Sequence, residues 1–436
     1  MDSTFIGAIG CIILFVLIFL GLDVGFAMLA VGFVGIGIFS GLDAGISILN
    51  ITPYATASSY SFVVLPLFIF MGLLAYEGGL VTDLFDVFYK LLGNLRGGLA
   101  MAVIIWCGFF SAMTGESLSA SIIMSKIAYP EMKKFNYNLK FSAGTIAAGG
   151  TLGILIPPSN GFVLYGIITG TSIGKLLIAG ILPGILLTLL YLLCIYVLVK
   201  IKPSLAPAKS VGFEFSLIEK LKGLQATLPV FLTFLIVLGG IYAGIFTPME
   251  SAAVGVILVI VIVLIKRRLK KKNFFIACKE SIQSVGMVFL ILIGALVFNY
   301  FIATSQLPMK LTEYVLSLNL SQYMIFALVV VLLLALGCVM DVPAMIVLTI
   351  PILFPIIVKL GFDPIWFGVI SVIISEAGAI TPPVGMNVYV VAGTIKEISL
   401  FDIFSGIWPY FFVLCFTILV LTIFPNVCLF LPNQMK

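Results

Sequence analysis

Residues 149–159 read GGTLGILIPPS, and residues 375–385 read SEAGAITPPVG. Each stretch interrupts an apolar segment that is long enough to cross a bilayer as a helix. Glycine and proline at such a break free backbone polar groups, which membrane proteins tolerate only where these groups line a cavity or are buried in protein. Breaks at corresponding positions of two halves therefore indicate the binding site of a transporter. The corresponding residues, at an offset of 225 positions, are Gly153 with Gly378, Pro157 with Pro382, and Pro158 with Pro383.

The composition is that of a polytopic membrane protein. Of the 436 residues, 62% are hydrophobic and 9% are charged, and the mean hydropathy is +1.28. The first apolar run, residues 5–20, has no basic residue before it, so we interpret it as a retained span and not as a secretory signal. Histidine is absent, which excludes histidine metal sites, Ser-His catalysis and histidine proton relays.

Basic clusters set the orientation of the predicted spans. Lysine and arginine concentrate at residues 126–140, 200–222 and 266–279, and such clusters beside spans mark the cytoplasmic side. Counting spans outward from them places both termini on the periplasmic side. Nucleic-acid binding is not expected, because no soluble domain accompanies the charge. The predicted apolar segments are residues 5–21, 24–40, 58–76, 99–125, 141–170, 176–199, 226–246, 249–265, 283–304, 321–356, 364–396 and 403–425.

Two of these segments, residues 99–125 and 321–356, are predicted to be re-entrant hairpins. The first is too long for one upright helix and too short for two full spans, at about 1.5 Å per residue. Small and polar residues surround Thr114 at its centre, and the second segment has Gly337 and Pro343 at its centre. The two hairpins enter the membrane from opposite sides, so the halves of the chain are predicted to be inverted.

The offset of 225 positions extends beyond the two breaks. It aligns acids at the hairpin tips, loop prolines and two amphipathic stretches that are typical of interfacial helices. Because such an ordered set of matches is hard to obtain by chance, the predicted fold class is an all-α polytopic membrane protein built as an inverted repeat. The further matches are Glu116 with Asp341, Pro130 with Pro355, Lys134 with Lys359, residues 81–96 with 306–321, and, after one insertion, residues 180–183 with 406–409.

The repeat divides the chain into scaffold and transport units. Each transport unit is predicted to contain a hairpin, at 97–130 or 321–356, and a broken helix, at 141–170 or 364–396. The predicted divisions are residues 1–96 for the first scaffold spans and an interfacial helix, 97–200 for the first transport unit, 201–282 for basic cytoplasmic loops and central spans, 283–320 for a scaffold span and an interfacial helix, 321–425 for the second transport unit, and 426–436 for a tail.

The tips and breaks carry the residues that are predicted to hold sodium. Na⁺ prefers a cage of oxygen atoms, which unwound backbone carbonyls and hydroxyl side chains supply without a buried net charge. The competing interpretation is that these hydroxyls bond to the preceding helical turn or hold helices together. The predicted sodium ligands are Ser111, Thr114, Gly115, Thr151 and Gly153 in the first half, and Gly337, Met340, Gly378 and Thr381 in the second.

A carboxylate substrate is predicted to bind between the breaks. Half-helices that start after Pro158 and Pro383 would direct their positive N-terminal ends into one cavity, which suits an anion. Recognition by a buried arginine is not expected, because none lies in the predicted core segments. The predicted substrate-binding residues are Ser117, Pro157, Pro158, Ser159, Asn160, Pro382, Pro383, Gly385 and Asn387.

Three acidic residues lie at the tips and breaks. Glu116 and Asp341 are the tip carboxylates, and Glu376 lies beside the second break. Acids within membrane segments are candidates for function, so they could contact cations or carry protons. They could equally cap the half-helices that follow them. Both interpretations stay open from the sequence.

Three groups of motifs resemble one transporter family. Residues 239–253 read GGIYAGIFTPMESAA, residues 151–159 are followed by AGILPG at 179–184, and TPPVG at 381–385 is followed by Asn387. Together these motifs cover essentially the whole chain. They resemble the large membrane subunit of tripartite ATP-independent periplasmic (TRAP) transporters of the dicarboxylate and sialic-acid type. The acids Glu116 and Glu376 depart from the small or amide residues that are usual in that family.

The resemblance implies a sodium-driven importer of a small organic acid in the bacterial inner membrane. It also implies an elevator mechanism, in which the hairpins and broken helices carry substrate past a scaffold. The expected partners are a periplasmic substrate-binding protein, a small four-helix membrane subunit on a separate chain, the small carboxylate substrate and membrane lipid. Na⁺ is expected as the coupling ion, without an organic cofactor.

Other functions fit the residues less well. The alternative is a stand-alone sodium- or proton-coupled organic-anion symporter with the same inverted architecture. Two inverted hairpins favour alternating access over the symmetric filter of an ion channel. An intramembrane metalloprotease or rhomboid-type protease would need histidine, and an aspartyl type would need two facing aspartates, so an enzyme is not expected.

Overall fold

The computed structural model describes residues 3–207, 217–318 and 320–435, without the side chains of Ser111, residues 217–224 and Ala226. Every regular element in these ranges is a helix. Within the described residues, seven helical segments are long and apolar enough to cross a membrane, and shorter apolar helices lie between them. Part of the basic segment predicted at residues 200–222 lies outside the described residues.

The N-terminal region contains five helices. The third of them was not predicted, because Asp43, Asn50 and Pro53 interrupt the apolar pattern on which the sequence assignment depends. The fifth is amphipathic and buries its apolar face, which includes Leu80 and Leu84. The helices are α1 (Ser3–Phe19), α2 (Val24–Ser40), α3 (Leu42–Ser58), α4 (Val64–Glu77) and α5 (Leu80–Leu92), with a 3-10 turn at Tyr60–Val63 before α4.

The first repeat forms a hairpin and then a broken helix. Gly115, with a φ of +67°, allows the sharp turn at the hairpin tip. After the hairpin, the Asn138 side chain accepts a hydrogen bond from the backbone N–H of Phe141 and starts the next helix. The hairpin helices are α6 (Gly98–Thr114) and α7 (Ser117–Lys134), the pieces of the broken helix are α8 (Leu139–Gly150), α9 (Leu152–Leu155) and α10 (Asn160–Thr169), and α11 (Ile173–Ala179) and α12 (Ile181–Ile201) follow.

The central region links the two repeats. Thr247 and Glu250 form a reciprocal capping box at the start of one helix, with Pro248 in its first turn. The predicted span at 283–304 was too short, because residues 271–282 continue the same helix through a segment without glycine or proline. The helices are α13 (Leu217–Tyr242), α14 (Pro248–Ile265), α15 (Lys271–Thr304) and α16 (Leu307–Ser317).

The second repeat has the same order of elements as the first. Asp363 caps its broken helix by accepting hydrogen bonds from the backbone N–H groups of Ile365 and Trp366. The hairpin helices are α17 (Gln322–Gly337) and α18 (Val342–Lys359), the pieces of the broken helix are α19 (Pro364–Ala379) and α20 (Met386–Ile395), and α21 (Leu400–Ile423) and α22 (Asn426–Leu429) follow.

The two repeats pack against each other reciprocally. Helix α7 of the first hairpin packs against α20 of the second broken helix, and α18 of the second hairpin packs against α10 of the first. A shift of 225 positions converts α7 into α18 and α10 into α20, so each contact is the equivalent of the other. A pseudo-twofold relation between the halves requires such a pair of contacts. Helix α8 also crosses α21 closely, because Gly144 and Gly406 bring the two backbones together without side chains between them.

The predicted fold class is confirmed. The chain is an all-α polytopic membrane protein whose halves each contribute one hairpin and one broken helix. In both breaks the peptide bond between the two prolines is cis. The hairpins and breaks meet in the interior, where the candidate site lies.

Candidate functional site

A cavity of about 150 Å³ lies where the two hairpin tips and the two breaks meet. The two tips and the two breaks all contribute to its wall. The scaffold helix α15 also contributes, through Ser284, Met287, Val288 and Ile291. The remaining lining residues are Gly115, Glu116, Ser117, Leu118, Ile154, Asn160, Asp341, Val342, Pro343, Ala379 and Met386.

Four helices begin at this cavity. Their first residues are Ser117 of α7, Asn160 of α10, Val342 of α18 and Met386 of α20, and all four line the wall. The N-terminal end of a helix carries a partial positive charge and unpaired backbone N–H groups. The cavity therefore collects four positive helix ends, which favours an anionic group inside it.

The first hairpin tip packs directly on the first break. A Cβ atom added to Gly153 would lie 2.5 Å from the backbone oxygen of Glu116, and one added to Gly115 would lie 2.6 Å from the backbone oxygen of Pro158. Both glycines are needed for this close approach, because real side chains do not fit such distances. Backbone atoms of the tip and the break therefore meet without intervening side chains.

The second hairpin repeats this contact with its own break. A Cβ atom added to Gly378 would lie 2.5 Å from the backbone carbonyl carbon of Gly337. The backbone N–H of Gly385 donates a hydrogen bond to the carbonyl oxygen of Cys338 at 3.1 Å. Gly153 and Gly378, which the repeat pairs, thus have the same role in the two halves.

The predicted substrate-binding residues are distributed over several environments. Ser117 and Asn160 line the cavity. Ser159 caps α10, since its hydroxyl accepts a hydrogen bond from the backbone N–H of Phe162 at 3.3 Å. Pro157 lines a separate apolar cavity of about 270 Å³ next to α12 and α13. The others are Pro158, which is buried against the first tip, Pro382 and Pro383, which are exposed, Gly385, which precedes α20, and Asn387, which is buried inside the protein.

The hydroxyls predicted to hold sodium bond to the preceding helical turn. Thr114 donates to the carbonyl oxygen of Phe110 at 3.2 Å, and Thr151 donates to that of Ala148 at 2.6 Å. Thr381 donates in the same way to Ala377. Donation uses only the hydroxyl hydrogen, so the oxygen of each group keeps lone pairs for a cation. Both sequence interpretations of these hydroxyls are therefore compatible with the geometry.

The other predicted sodium ligands lie at the tips and breaks. Gly115, Gly153, Gly337 and Gly378 form the backbone contacts described above, and Met340 is buried in the second tip. The side chain of Ser111 lies outside the described part of the structure. These assignments stay predictions.

The two tip acids occupy equivalent places. Glu116 immediately precedes α7 and Asp341 immediately precedes α18, and both line the cavity. The Glu116 carboxylate accepts a hydrogen bond from the Ser119 hydroxyl at 2.7 Å. No lysine or arginine is among the residues that line this cavity. Two carboxylates therefore share the cavity with four positive helix ends.

Sequence reasoning did not identify a buried polar network behind the breaks. The Thr151 hydroxyl hydrogen-bonds to the Tyr191 hydroxyl at 2.9 Å, and the Thr145 hydroxyl bonds to that of Tyr410 at 2.6 Å. Both tyrosines are fully buried, on α12 and α21 respectively. Their partners are 40 and 265 positions away in the chain, so no local pattern could have predicted the pairs.

A second unrecognised pair joins Glu376 and Asn387 at the second break. Both side chains are fully buried, and the Asn387 amide nitrogen donates to one Glu376 carboxylate oxygen at 3.4 Å. The side chain of Ser117, on the first hairpin, also interacts with this carboxylate. Ser117 therefore links this pair, which belongs to the second repeat, to the first repeat. In the described ranges, no three residues among histidine, cysteine, aspartate and glutamate converge on a point.

Comparison with known proteins gives consistent matches over almost the whole chain. Residues 11–427 match the family described as "Tripartite ATP-independent periplasmic transporter, DctM component". A C4-dicarboxylate TRAP transporter large permease protein of Pseudomonas aeruginosa is 34% identical over 407 residues, which are 90% of this chain and 93% of that protein. A sialic acid TRAP transporter large permease protein of Vibrio cholerae is 29% identical over 418 residues, 96% of each chain.

Two further comparisons concern architecture. An isethionate TRAP transporter permease protein, DctMQ, of Oleidesulfovibrio alaskensis is 32% identical over 381 residues, and the match covers 86% of this chain but 59% of that protein. The crystal structure of the Alcanivorax borkumensis YdaH transporter superposes with a TM-score of 0.63 and 16% identity, covering 86% of this chain and 88% of that one. At that identity the likeness concerns the fold alone.

Proposed function

The chain belongs to the family of large membrane components of tripartite ATP-independent periplasmic transporters, and we propose that it imports a small organic acid together with Na⁺. Membership makes it a multi-pass inner-membrane transporter subunit and not an enzyme. The proposal concerns the substrate class, the coupling ion, the partners and the mechanism.

The observation that carries the proposal is the convergence of four helix N-termini on one cavity. The first residues of α7, α10, α18 and α20 all line it. Such ends stabilise a carboxylate through backbone N–H groups and the helix dipole. This arrangement supports an anionic substrate without an arginine from this chain.

The tip acids support coupling to a cation. Glu116 and Asp341 line the same cavity, and its lining contains no basic side chain. The two carboxylates oppose the effect of the helix ends on an anion, and a cation that enters with the anion would offset their charge. We propose that this cation is Na⁺, held by oxygens of the tips and breaks such as those of Thr114, Thr151 and Thr381.

The packing of the repeats supports an elevator mechanism. Reciprocal contacts of α7 with α20 and of α18 with α10 join the two hairpins and the two breaks into one unit. The cavity lies between this unit and α15, which packs mainly against α2 and α4 of the scaffold. We propose that the unit slides along this boundary with its cargo, and that both termini are periplasmic.

The proposed partners follow from family membership. They are a periplasmic substrate-binding protein, a small membrane subunit and the lipid that surrounds the apolar outer surface. A stand-alone sodium- or proton-coupled symporter of the same inverted architecture is the second candidate.

Reconstitution tests the proposal directly. Proteoliposomes containing this chain and its small membrane subunit would receive the periplasmic binding protein loaded with a radiolabelled C4-dicarboxylate or sialic acid. We expect uptake that requires an inward Na⁺ gradient and stops when choline or K⁺ replaces Na⁺. Uptake that needs ATP, or that is undiminished without Na⁺, would refute sodium coupling. Full uptake of free substrate without the binding protein would favour the stand-alone symporter.

Thr381→Ala is expected to raise the Na⁺ concentration for half-maximal uptake by about two- to tenfold, the effect of losing one oxygen interaction of roughly 0.5–1.5 kcal/mol. Thr304→Ala is the matched control, since Thr304 makes the same hydroxyl bond to the preceding turn, at 2.7 Å to Tyr300, but is exposed at the end of α15. Equal sodium titrations for the two variants would remove Thr381 from the proposed site.

A further inference from the structure

We propose that Glu376 and Asn387 hold an additional Na⁺ ion inside the transport unit, behind the cavity. Neither residue lines the cavity, although Ala379 and Met386 between them do. Glu376 lies in the last turn of α19, and Asn387 is the second residue of α20. The inference rests on the proposed sodium coupling for its role in transport, but ion binding at this pair can be measured without transport.

Two oxygen atoms of this pair lack partners. The Oε1 atom of Glu376 and the Oδ1 atom of Asn387 are buried and accept no hydrogen bond from the described residues. Both residues are 0% exposed. Buried polar atoms without partners are rare in folded proteins, and each one calls for an explanation such as a bound ion. Here two acceptors remain on side chains that already touch each other through Oε2 and Nδ2.

The charge of Glu376 is also uncompensated. The side chains that interact with its carboxylate are those of Ser117 and Asn387, both neutral. It forms no ion pair within the part of the chain that the structure describes. An isolated carboxylate in an apolar interior is strongly disfavoured unless a positive charge joins it. Either a proton or a cation from solution must therefore neutralise it.

The C-terminal end of α19 favours a cation at this place, whereas Ser117 and Asn387 lie at the N-terminal ends of α7 and α20. Helix α19 ends at Ala379, so Glu376 lies at the helix end that carries the partial negative charge. In broken helices of transporters, such C-terminal ends and unwound carbonyls coordinate cations. The negative charge of the carboxylate and the partial negative charge of the α19 end thus both attract a cation.

The ligand chemistry favours a hard cation. The available atoms are a carboxylate oxygen, an amide oxygen and the hydroxyl of Ser117, which are ligands for hard cations and not for soft transition metals. A proton on Oε1 that is donated to Oδ1 of Asn387 would pair both oxygens without an ion, and a cation bound between them would pair them as well. The NaCl titration below distinguishes these two states.

The position of the site suggests what the ion does. Ser117 belongs to the first hairpin, whereas Glu376 and Asn387 flank the second break. Helices α7 and α20 pack against each other at this point. An ion bound by all three residues would connect the first hairpin to the second broken helix. Bound sodium would therefore stabilise the assembled transport unit.

The test compares Glu376→Gln with wild type in the full chain bound to its small membrane subunit. The melting temperature is measured as NaCl replaces choline chloride at constant ionic strength. Glutamine keeps the shape of the side chain and removes its charge. We expect the apparent Na⁺ affinity to fall at least about tenfold, since ligand charge sets cation affinity. In proteoliposomes, the coupling ratio from reversal potentials should fall by one Na⁺ per substrate.

Two further variants make the result specific. Glu313→Gln is the matched control, because it makes the same charge change on an exposed carboxyl of α16, and it should titrate like wild type. Asn387→Ala keeps the carboxylate and removes the amide oxygen, so it should also weaken Na⁺ binding. It provides the same test if Glu376→Gln does not fold.

The outcomes separate this inference from the proposed function. A Glu376→Gln variant with the wild-type sodium titration and coupling ratio would overturn the inference, because the carboxyl would then be neutral and hold no sodium. If wild-type uptake proved independent of Na⁺ while the melting temperature still lost its Na⁺ dependence in Glu376→Gln, the proposed coupling would fail and the ion site would stand.

Discussion

Gly378→Ala is expected to reduce uptake by about fivefold or more. The added methyl carbon would lie 2.5 Å from the backbone of Gly337, which cannot rotate away as a side chain could. Overpacking of this kind costs about 1–3 kcal/mol, and every 1.4 kcal/mol is a factor of ten. The second hairpin would have to retreat from its break, which distorts the cavity wall. Uptake in proteoliposomes and the melting temperature are the measurements.

The equivalent glycine of the first repeat provides a companion variant, and an unhindered glycine of α20 provides a control. Gly153→Ala should have a similar effect, since its methyl carbon would lie 2.5 Å from the Glu116 carbonyl oxygen in the first half. Gly393→Ala is matched to both, because Gly393 lies in α20 with nothing within 4 Å of an added Cβ atom. Wild-type uptake by Gly378→Ala would show that this tip and break are apart in the working transporter.

Ala379→Phe is expected to bring uptake down to background while the protein remains folded. Ala379 is buried and lines the cavity of about 150 Å³, much of which a phenyl ring would occupy. Apolar side chains of α15 such as Val288 and Ile291 line the same cavity and can pack against a ring placed in it. We therefore expect substrate exclusion with a small change in melting temperature, measured on the same preparation as uptake.

An exposed alanine provides the control for this variant. Ala303→Phe makes the same change near the end of α15 at an exposed position, and its uptake should equal that of wild type. Normal uptake by Ala379→Phe would mean that substrate does not pass through this cavity, and the proposed binding place would have to be abandoned.

The elements that depend on signals within their own stretch of sequence could be predicted. Hairpins at residues 98–134 and 322–359 and breaks around Gly153 and Gly378 all lie where glycine, proline and apolar run length placed them. These signals act through the backbone of the residues that carry them, so neighbours in space are not needed to interpret them. Helix α3 was missed because its polar residues weaken the same local signal.

The site was predictable only in part. Ser117 and Asn160 were placed at the cavity, but Pro157 lines another cavity and Pro382 is exposed. The direction of a side chain at a break depends on how the half-helices pack, and a sequence motif does not specify it. The contribution of α15 to the wall was missed for the same reason.

By itself, the sequence determined the repeat, the two hairpins, the two breaks and the family, because these depend on residue type, spacing and order. Only the tertiary structure decided that four helix N-termini share one cavity and that Glu376 and Asn387 form a buried pair with unpartnered oxygens. Both features depend on distances between segments that the chain separates. Such distances are set by packing of the two repeats against each other. The Pro-Pro pairs of the two breaks could therefore mark the site without showing what it binds.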